Sequence, residues 1–155
     1  MVQAQIIEDM DDAAIAAWLE VRLVQALEKG PAAICLPGGA TPFPILERLV
    51  ARPLAWRRVS VWPGDDRIVP ESHPASNMGR IRAILGPAGA QCHALVEDAR
   101  PPHFALTWLG MGADGHIASL FPNTDPRPDE PRRVLKLVPD PLPPEAPFAR
   151  LSLTI

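Results

Sequence analysis

The stretch from Leu109 to Pro122, LGMGADGHIASLFP, constrains this chain more than any other. It follows an apolar run from Phe104 to Leu109. The pattern predicts a strand ending near Leu109 and a helix beginning near Gly115 or His116. That order sets Asp114, His116 and the N–H groups around Gly112 and Gly115 at the carboxyl end of a strand. Open α/β sheets take their ligands there. A helix start adds unpaired N–H groups and the positive end of a dipole. Glycines after a strand also serve plain tight turns, with Asp114 as a helix cap and His116 on the surface.

Two other loops follow the same plan. Ala32 to Leu36 is a short apolar run suited to a buried parallel strand, and LPGGATP follows it. Thr41 is placed as an N-cap and Pro42 as the first helical residue, with helix to about Val50. Gly38 and Gly39 carry no Cβ, so the backbone can approach a phosphate. No Gly-Lys-Ser/Thr follows and the G-x-G-x-x-G spacing is absent, so this is neither a P-loop nor a dinucleotide fingerprint. Further on, Val59, Val61 and Trp62 read as a strand closed by Pro63-Gly64, and Asp65, Asp66 and Arg67 come next. Ser76 is placed to cap a helix that reaches about Leu85 and stops at Gly86-Pro87. Two acids beside an arginine are commonly a solvated cluster, yet a guanidinium is also the fork that grips phosphate or carboxylate at two points.

Taken in order, PGGATP (Pro37 to Pro42), DDR (Asp65 to Arg67), Ser76-Asn77 and GMGADGHIASLFP (Gly110 to Pro122) resemble the 6-phosphogluconolactonase family, within the wider group that includes glucosamine-6-phosphate deaminase. The resemblance implies hydrolysis of 6-phospho-D-glucono-1,5-lactone in the oxidative pentose phosphate pathway, without metal or cofactor. It implies His116 as the base, Asp114 as its orienting group, and Arg67 on the phosphate or the developing charge. Gly38, Gly39, Thr41, Asp65, Asp66, Asn77, Gly112 and Gly115 fall at the family's substrate and phosphate positions. Three residues depart from the pattern. Ala40 stands where a hydroxyl is usual, Asp66 where glutamate is usual, and Ile117 where lactonases more often carry threonine. Deaminases often share that isoleucine, but they continue Ala-Phe-Asn-Glu instead of Ser119-Leu120-Phe121-Pro122 and lack an arginine at Arg67. The family also continues past the equivalent of Ile155 with a strand–helix portion supplying a lysine near the phosphate. No residue of this sequence matches that lysine. The helix that commonly precedes the Phe104–Leu109 strand is expected to be missing or much reduced. A deaminase-like isomerase, or a catalytically impaired sugar-phosphate binder, are the alternatives.

At 155 residues the chain is expected to form one domain, 1–155, with a real core. Asp11 or Asp12 can cap a first helix ending near Lys29-Gly30, with Trp18 on its core side. Cys92 to Val96, Val134 to Val138 and Leu151 to Ile155 read as later strands. Prolines are dense between Pro122 and Pro147, which predicts extended chain there. The alternation predicts an α/β fold: a doubly wound, mainly parallel sheet with helices on both faces, a Rossmann-like three-layer arrangement. A net charge of −3 carries no nucleic-acid footprint, and Arg132, Arg133 and Lys136 are broken up by apolar residues. No apolar stretch is long enough to span a membrane. Cys35 and Cys92 show no ligand spacing and read as buried free thiols, which fits a cytoplasmic setting. The remaining histidines, His73, His93 and His103, lack motif support. The expected partner is a small sugar phosphate; nothing in the sequence chooses between a monomer and a homo-oligomer.

Overall fold

The computed structural model describes residues 4–122 and 127–154. In chain order its elements are α1 (Asp12–Glu28), β1 (Ala32–Leu36), α2 (Pro42–Val50), β2 (Val59–Pro63), β3 (Asp65–Arg67), α3 (Asn77–Leu85), β4 (Gln91–Cys92), β5 (Leu106–Thr107), β6 (Val134–Leu137) and β7 (Arg150–Leu153). Caps set the helix starts. Asp11 accepts a hydrogen bond from the Ala14 N–H, and Ser76 accepts one from the Gly79 N–H. Thr41 differs from expectation: its own backbone is already helical (φ −67, ψ −45) and its side chain makes no capping bond. A side-chain cap needs an extended residue at that point.

Four strands form a parallel sheet in the order β4-β2-β1-β5. The chain steps from β1 to β2 to β4 in one direction, then returns to lay β5 on the other side of β1. The reversal makes a switch point between β1 and β5. Phe43, Ile45, Leu46 and Leu49 of α2 join Leu19, Leu23 and Leu27 of α1 and Met78, Ile81 and Leu85 of α3 in one core over Ile34, Leu36, Val59 and Val61. Burying one such side chain fully stabilises the fold by roughly 1.5–3 kcal/mol.

The parallel, crossover-built sheet is as the alternation predicts, but the helices are distributed differently. α2 packs on both α1 and α3, so the three share one face. The connection from β4 to β5, which a right-handed crossover would carry over the opposite face, contains no helix. The two strands flanking it are also shorter than the apolar runs Cys92–Val96 and Phe104–Leu109 implied, though the Ala105 and Trp108 N–H groups still bond to β1. The last two strands are not parallel additions. β6 and β7 form a separate antiparallel sheet with β3, ordered β3-β7-β6.

The helix expected at Gly115 is absent. Gly115 (φ 85) and Ala118 (φ 49) both adopt left-handed backbone, which a right-handed helix cannot contain. The segment folds instead as a compact loop in which the Gly112 N–H donates to the His116 carbonyl at 2.8 Å. No helix among the described residues is long and apolar enough to cross a membrane.

Candidate active site

A cleft of about 420 Å³ opens at the carboxyl ends of β1 and β5, at the switch point. The loop after β1, the strand β3, the amino end of α3, the loop after β5 and the first residue of β7 all line it. The three motif loops, separated in sequence, therefore meet at one place.

The loop after β1 forms one wall, with Gly38, Gly39, Ala40 and Thr41 facing the cleft. Gly38 is required by packing: a Cβ there would lie 2.1 Å from the Asn77 Oδ1. Helix α2 starts with Pro42, followed by Phe43 and Pro44, so two of its first three residues offer no N–H. An anion on this wall would thus depend on the loop N–H groups and the exposed Thr41 hydroxyl more than on the helix end.

The two acids of β3 have separate environments. The Asp66 carboxylate is filled by scaffold donors. Its Oδ1 accepts from the Asn77 N–H at 2.6 Å and the Arg67 N–H at 2.8 Å, and its Oδ2 from the Met78 N–H at 3.0 Å and the Ser76 hydroxyl at 3.1 Å. It holds the amino end of α3 and does not line the cleft. Asp65 does line it, almost fully buried, and accepts from the Ser119 hydroxyl at 2.5 Å. Burial pushes its carboxyl above the usual range, against the Ser119 hydrogen bond and the nearby charges of Arg67 and Arg150. The Asn77 amide donates to the Asp65 carbonyl at 2.9 Å and accepts from Arg67 Nη1 at 2.9 Å. Arg67 Nη1 also donates to the Ala75 carbonyl at 3.0 Å.

His116 faces the cleft from the loop after β5, with Asp114 behind it. Its Nδ1 lies 2.5 Å from Asp114 Oδ1, which also accepts the His116 backbone N–H at 3.2 Å. Nε2 is then the ring nitrogen left for a ligand. The His116 hydrogen bond holds the Asp114 carboxyl below its ordinary range. Phe121 flanks the imidazole at 4.2 Å between ring centroids. Gly112 makes room for it, because a Cβ there would sit 2.2 Å from His116 Cε1.

Of the residues the sequence singles out, Gly38, Gly39, Thr41, Asp65, Arg67, Asn77, Gly112 and His116 converge on the cleft. Asp66, Asp114 and Gly115 do not face it: the first anchors α3, the second backs His116, the third turns the chain. Three residues went unassigned by sequence. Arg150 lines the cleft, 4% exposed, and Ser152 accepts the Ser119 N–H at 3.1 Å, tying β7 to the loop whose Ser119 hydroxyl holds Asp65. The serine pair carries no local signal, and Arg150 becomes visible only through strand register. His73 and His103 are exposed and away from the cleft, and His93 stacks on Trp62. Cys35 is buried and Cys92 half-buried, both free.

A parallel sheet with crossover helices and a cleft at its switch point defines a Rossmann-like α/β protein. Within that class the chain belongs to the family described as glucosamine-6-phosphate isomerases/6-phosphogluconolactonase, whose profile matches residues 8–155. It is 40% identical over 130 residues to a 6-phosphogluconolactonase of Pseudomonas aeruginosa, an alignment covering 71% of this chain and 55% of that protein. It is 31% identical over 172 aligned positions to a 6-phosphogluconolactonase of Caulobacter vibrioides, covering 96% of this chain and 73% of that one. Its fold is like that of the 6-phosphogluconolactonase from Thermotoga maritima, with a TM-score of 0.79 at 24% identity over 96% of this chain and 75% of that chain. The chain spans little more than half the length of the Pseudomonas aeruginosa protein.

Proposed function

We propose that this chain hydrolyses 6-phospho-D-glucono-1,5-lactone to 6-phosphogluconate, a step of the oxidative pentose phosphate pathway, in the cytoplasm. The carrying observation is His116, held from behind by Asp114, facing the same cleft as Arg67 and the Gly38 loop. A lactone carbonyl is already reactive, so the site must orient a water, take its proton and steady the oxyanion. His116 Nε2 takes the proton as the water oxygen bonds to C1. The carbonyl electrons move to the C1 oxygen, and their return breaks the bond from C1 to the ring oxygen. The imidazolium then gives its proton to that oxygen. Asp114 fixes the ring and balances the transient positive charge. The loop N–H groups at Gly38, Gly39 and Thr41, with Arg67, take the phosphate.

This reading is supported by the family membership and by similarity to proteins named 6-phosphogluconolactonase. The run Ser119-Leu120-Phe121-Pro122 also supports it over aminosugar deamination, which needs a further carboxylate base in this loop, because none of these four residues is an acid. The test compares freshly made 6-phosphogluconolactone with unphosphorylated gluconolactone, following acid release above the spontaneous rate. Faster turnover of the phosphorylated lactone is expected, with no ammonia from glucosamine 6-phosphate. Equal rates, or ammonia release, would overturn the reading.

A further inference from the structure

We propose that Arg150 is a second anion ligand, forming with Arg67 a cross-strand clamp for one dianionic phosphate group. β3 and β7 are antiparallel, and Arg67 stands directly opposite Arg150 in their register. Directly opposed residues share a face, with Cβ atoms roughly 4.5–5.5 Å apart, and like charges so placed destabilise a sheet. Both side chains line the cleft.

Nothing nearby neutralises the pair fully. Among the described residues neither guanidinium forms an ion pair with a carboxylate. The Asp65 carboxylate accepts from the Ser119 hydroxyl at 2.5 Å and from the Asn77 amide at 3.5 Å, and the Asp66 carboxylate is engaged by the amino end of α3. Arg150 donates from Nη2 to the Ala146 carbonyl at 3.1 Å. The Nε atoms of both arginines are buried without a hydrogen-bond partner. An arginine cannot shed its charge to relieve such a position. The 38–41 loop lines the same cleft. Two planar forks in one cleft suit a phosphate monoester, which carries about 1.5 to 2 negative charges near pH 7.

The clamp rests on the sugar-phosphate reading for the rest of the ligand, but not for the anion, so the two can fail separately. The test is calorimetric titration of inorganic phosphate, 6-phosphogluconate and gluconate into the 155-residue chain and its Arg150→Met variant, with lactone hydrolysis in parallel. Loss of a charge-assisted bidentate contact should weaken both phosphate ligands roughly tenfold to a hundredfold. Gluconate binding should hold, KM should rise more than kcat falls, and preference for the phosphorylated ligand should collapse. A purely structural arginine would weaken all three ligands together. Unchanged phosphate affinity in the variant, or no phosphate binding by the parent chain, would overturn the clamp. If Arg150→Met does not fold, Arg150→Lys decides: it keeps one charge but loses the fork, so affinity equal to the parent's refutes the proposal and weaker phosphate binding supports it. Phosphate binding that depends on Arg150 in a chain that hydrolyses no lactone would sustain the clamp and refute the lactonase reading. Hydrolysis with KM unchanged in Arg150→Met would do the reverse.

Discussion

Replacing Asp66 by asparagine isolates what its charge does for the amino end of α3. The carboxylate accepts four hydrogen bonds, three from backbone N–H groups and one from the Ser76 hydroxyl. In Asp66→Asn the amide oxygen can keep the Arg67 and Asn77 N–H groups. The amide nitrogen then points its hydrogens at the Met78 N–H, a donor against a donor. Met78 is fully buried, so its N–H finds no water, and an unsatisfied buried donor costs about 1–3 kcal/mol. Losing the negative charge at a helix start costs about 0.3–1 kcal/mol more. The retained bonds also weaken from charge-assisted to neutral. The expected total is about 3 kcal/mol, a large part of the ~5–15 kcal/mol that holds a domain folded. Urea denaturation should show an earlier midpoint with an unchanged m value. For a chain of this size the melting temperature should fall by about 6–12 °C. A loss below about 1 kcal/mol would refute the assignment of Asp66 to the scaffold, and would return it to the substrate side where the sequence pattern first sets it.

Further perturbations separate the site from its support. Gly112→Ala would drive a methyl group into the His116 ring, so turnover should fall roughly a hundredfold with little change in melting temperature; an unchanged kcat would mean that the ring need not be held there. Cys35 is 1% exposed, and burial, helped by Asp65, pushes its thiol from about 9 up to about 12. The unfolded chain gives up this proton near its ordinary value while the folded chain retains it. Stability is therefore fully present below the unfolded value and falls as pH rises toward about 12, by up to about 1.4 kcal/mol per pH unit. Cys35→Ala should lack that slope in urea unfolding followed against pH, and parallel slopes for the two proteins would contradict the burial effect.

Local signals picked out most of the residues that line the candidate cleft, because they fall within short contiguous loops. Asp11 and Ser76 cap the helices that their positions announce, and the apolar run at Ala32 ends where the Gly38 loop begins. What local signals missed depends on distant partners or on backbone sign. Asp114 and His116 read like the opening of a helix, yet left-handed Gly115 and Ala118 close the segment into a loop. The sequence shows two acids side by side, but only folding gives Asp66 to α3 and Asp65 to Ser119. Arg150 meets Arg67 through an antiparallel register spanning more than half the chain, which no periodicity encodes.

In the proposed reaction His116, backed by Asp114, removes a proton from water at this cleft. The most direct test is coupled hydrolysis of freshly prepared 6-phosphogluconolactone by the purified chain and by His116→Asn, with the spontaneous rate subtracted. The expected result is a rate above background that falls by about 10²–10⁴-fold in the variant, with 6-phosphogluconate affinity retained. Equal rates from the two proteins, or no rate above background from a parent chain that unfolds cooperatively, would contradict it.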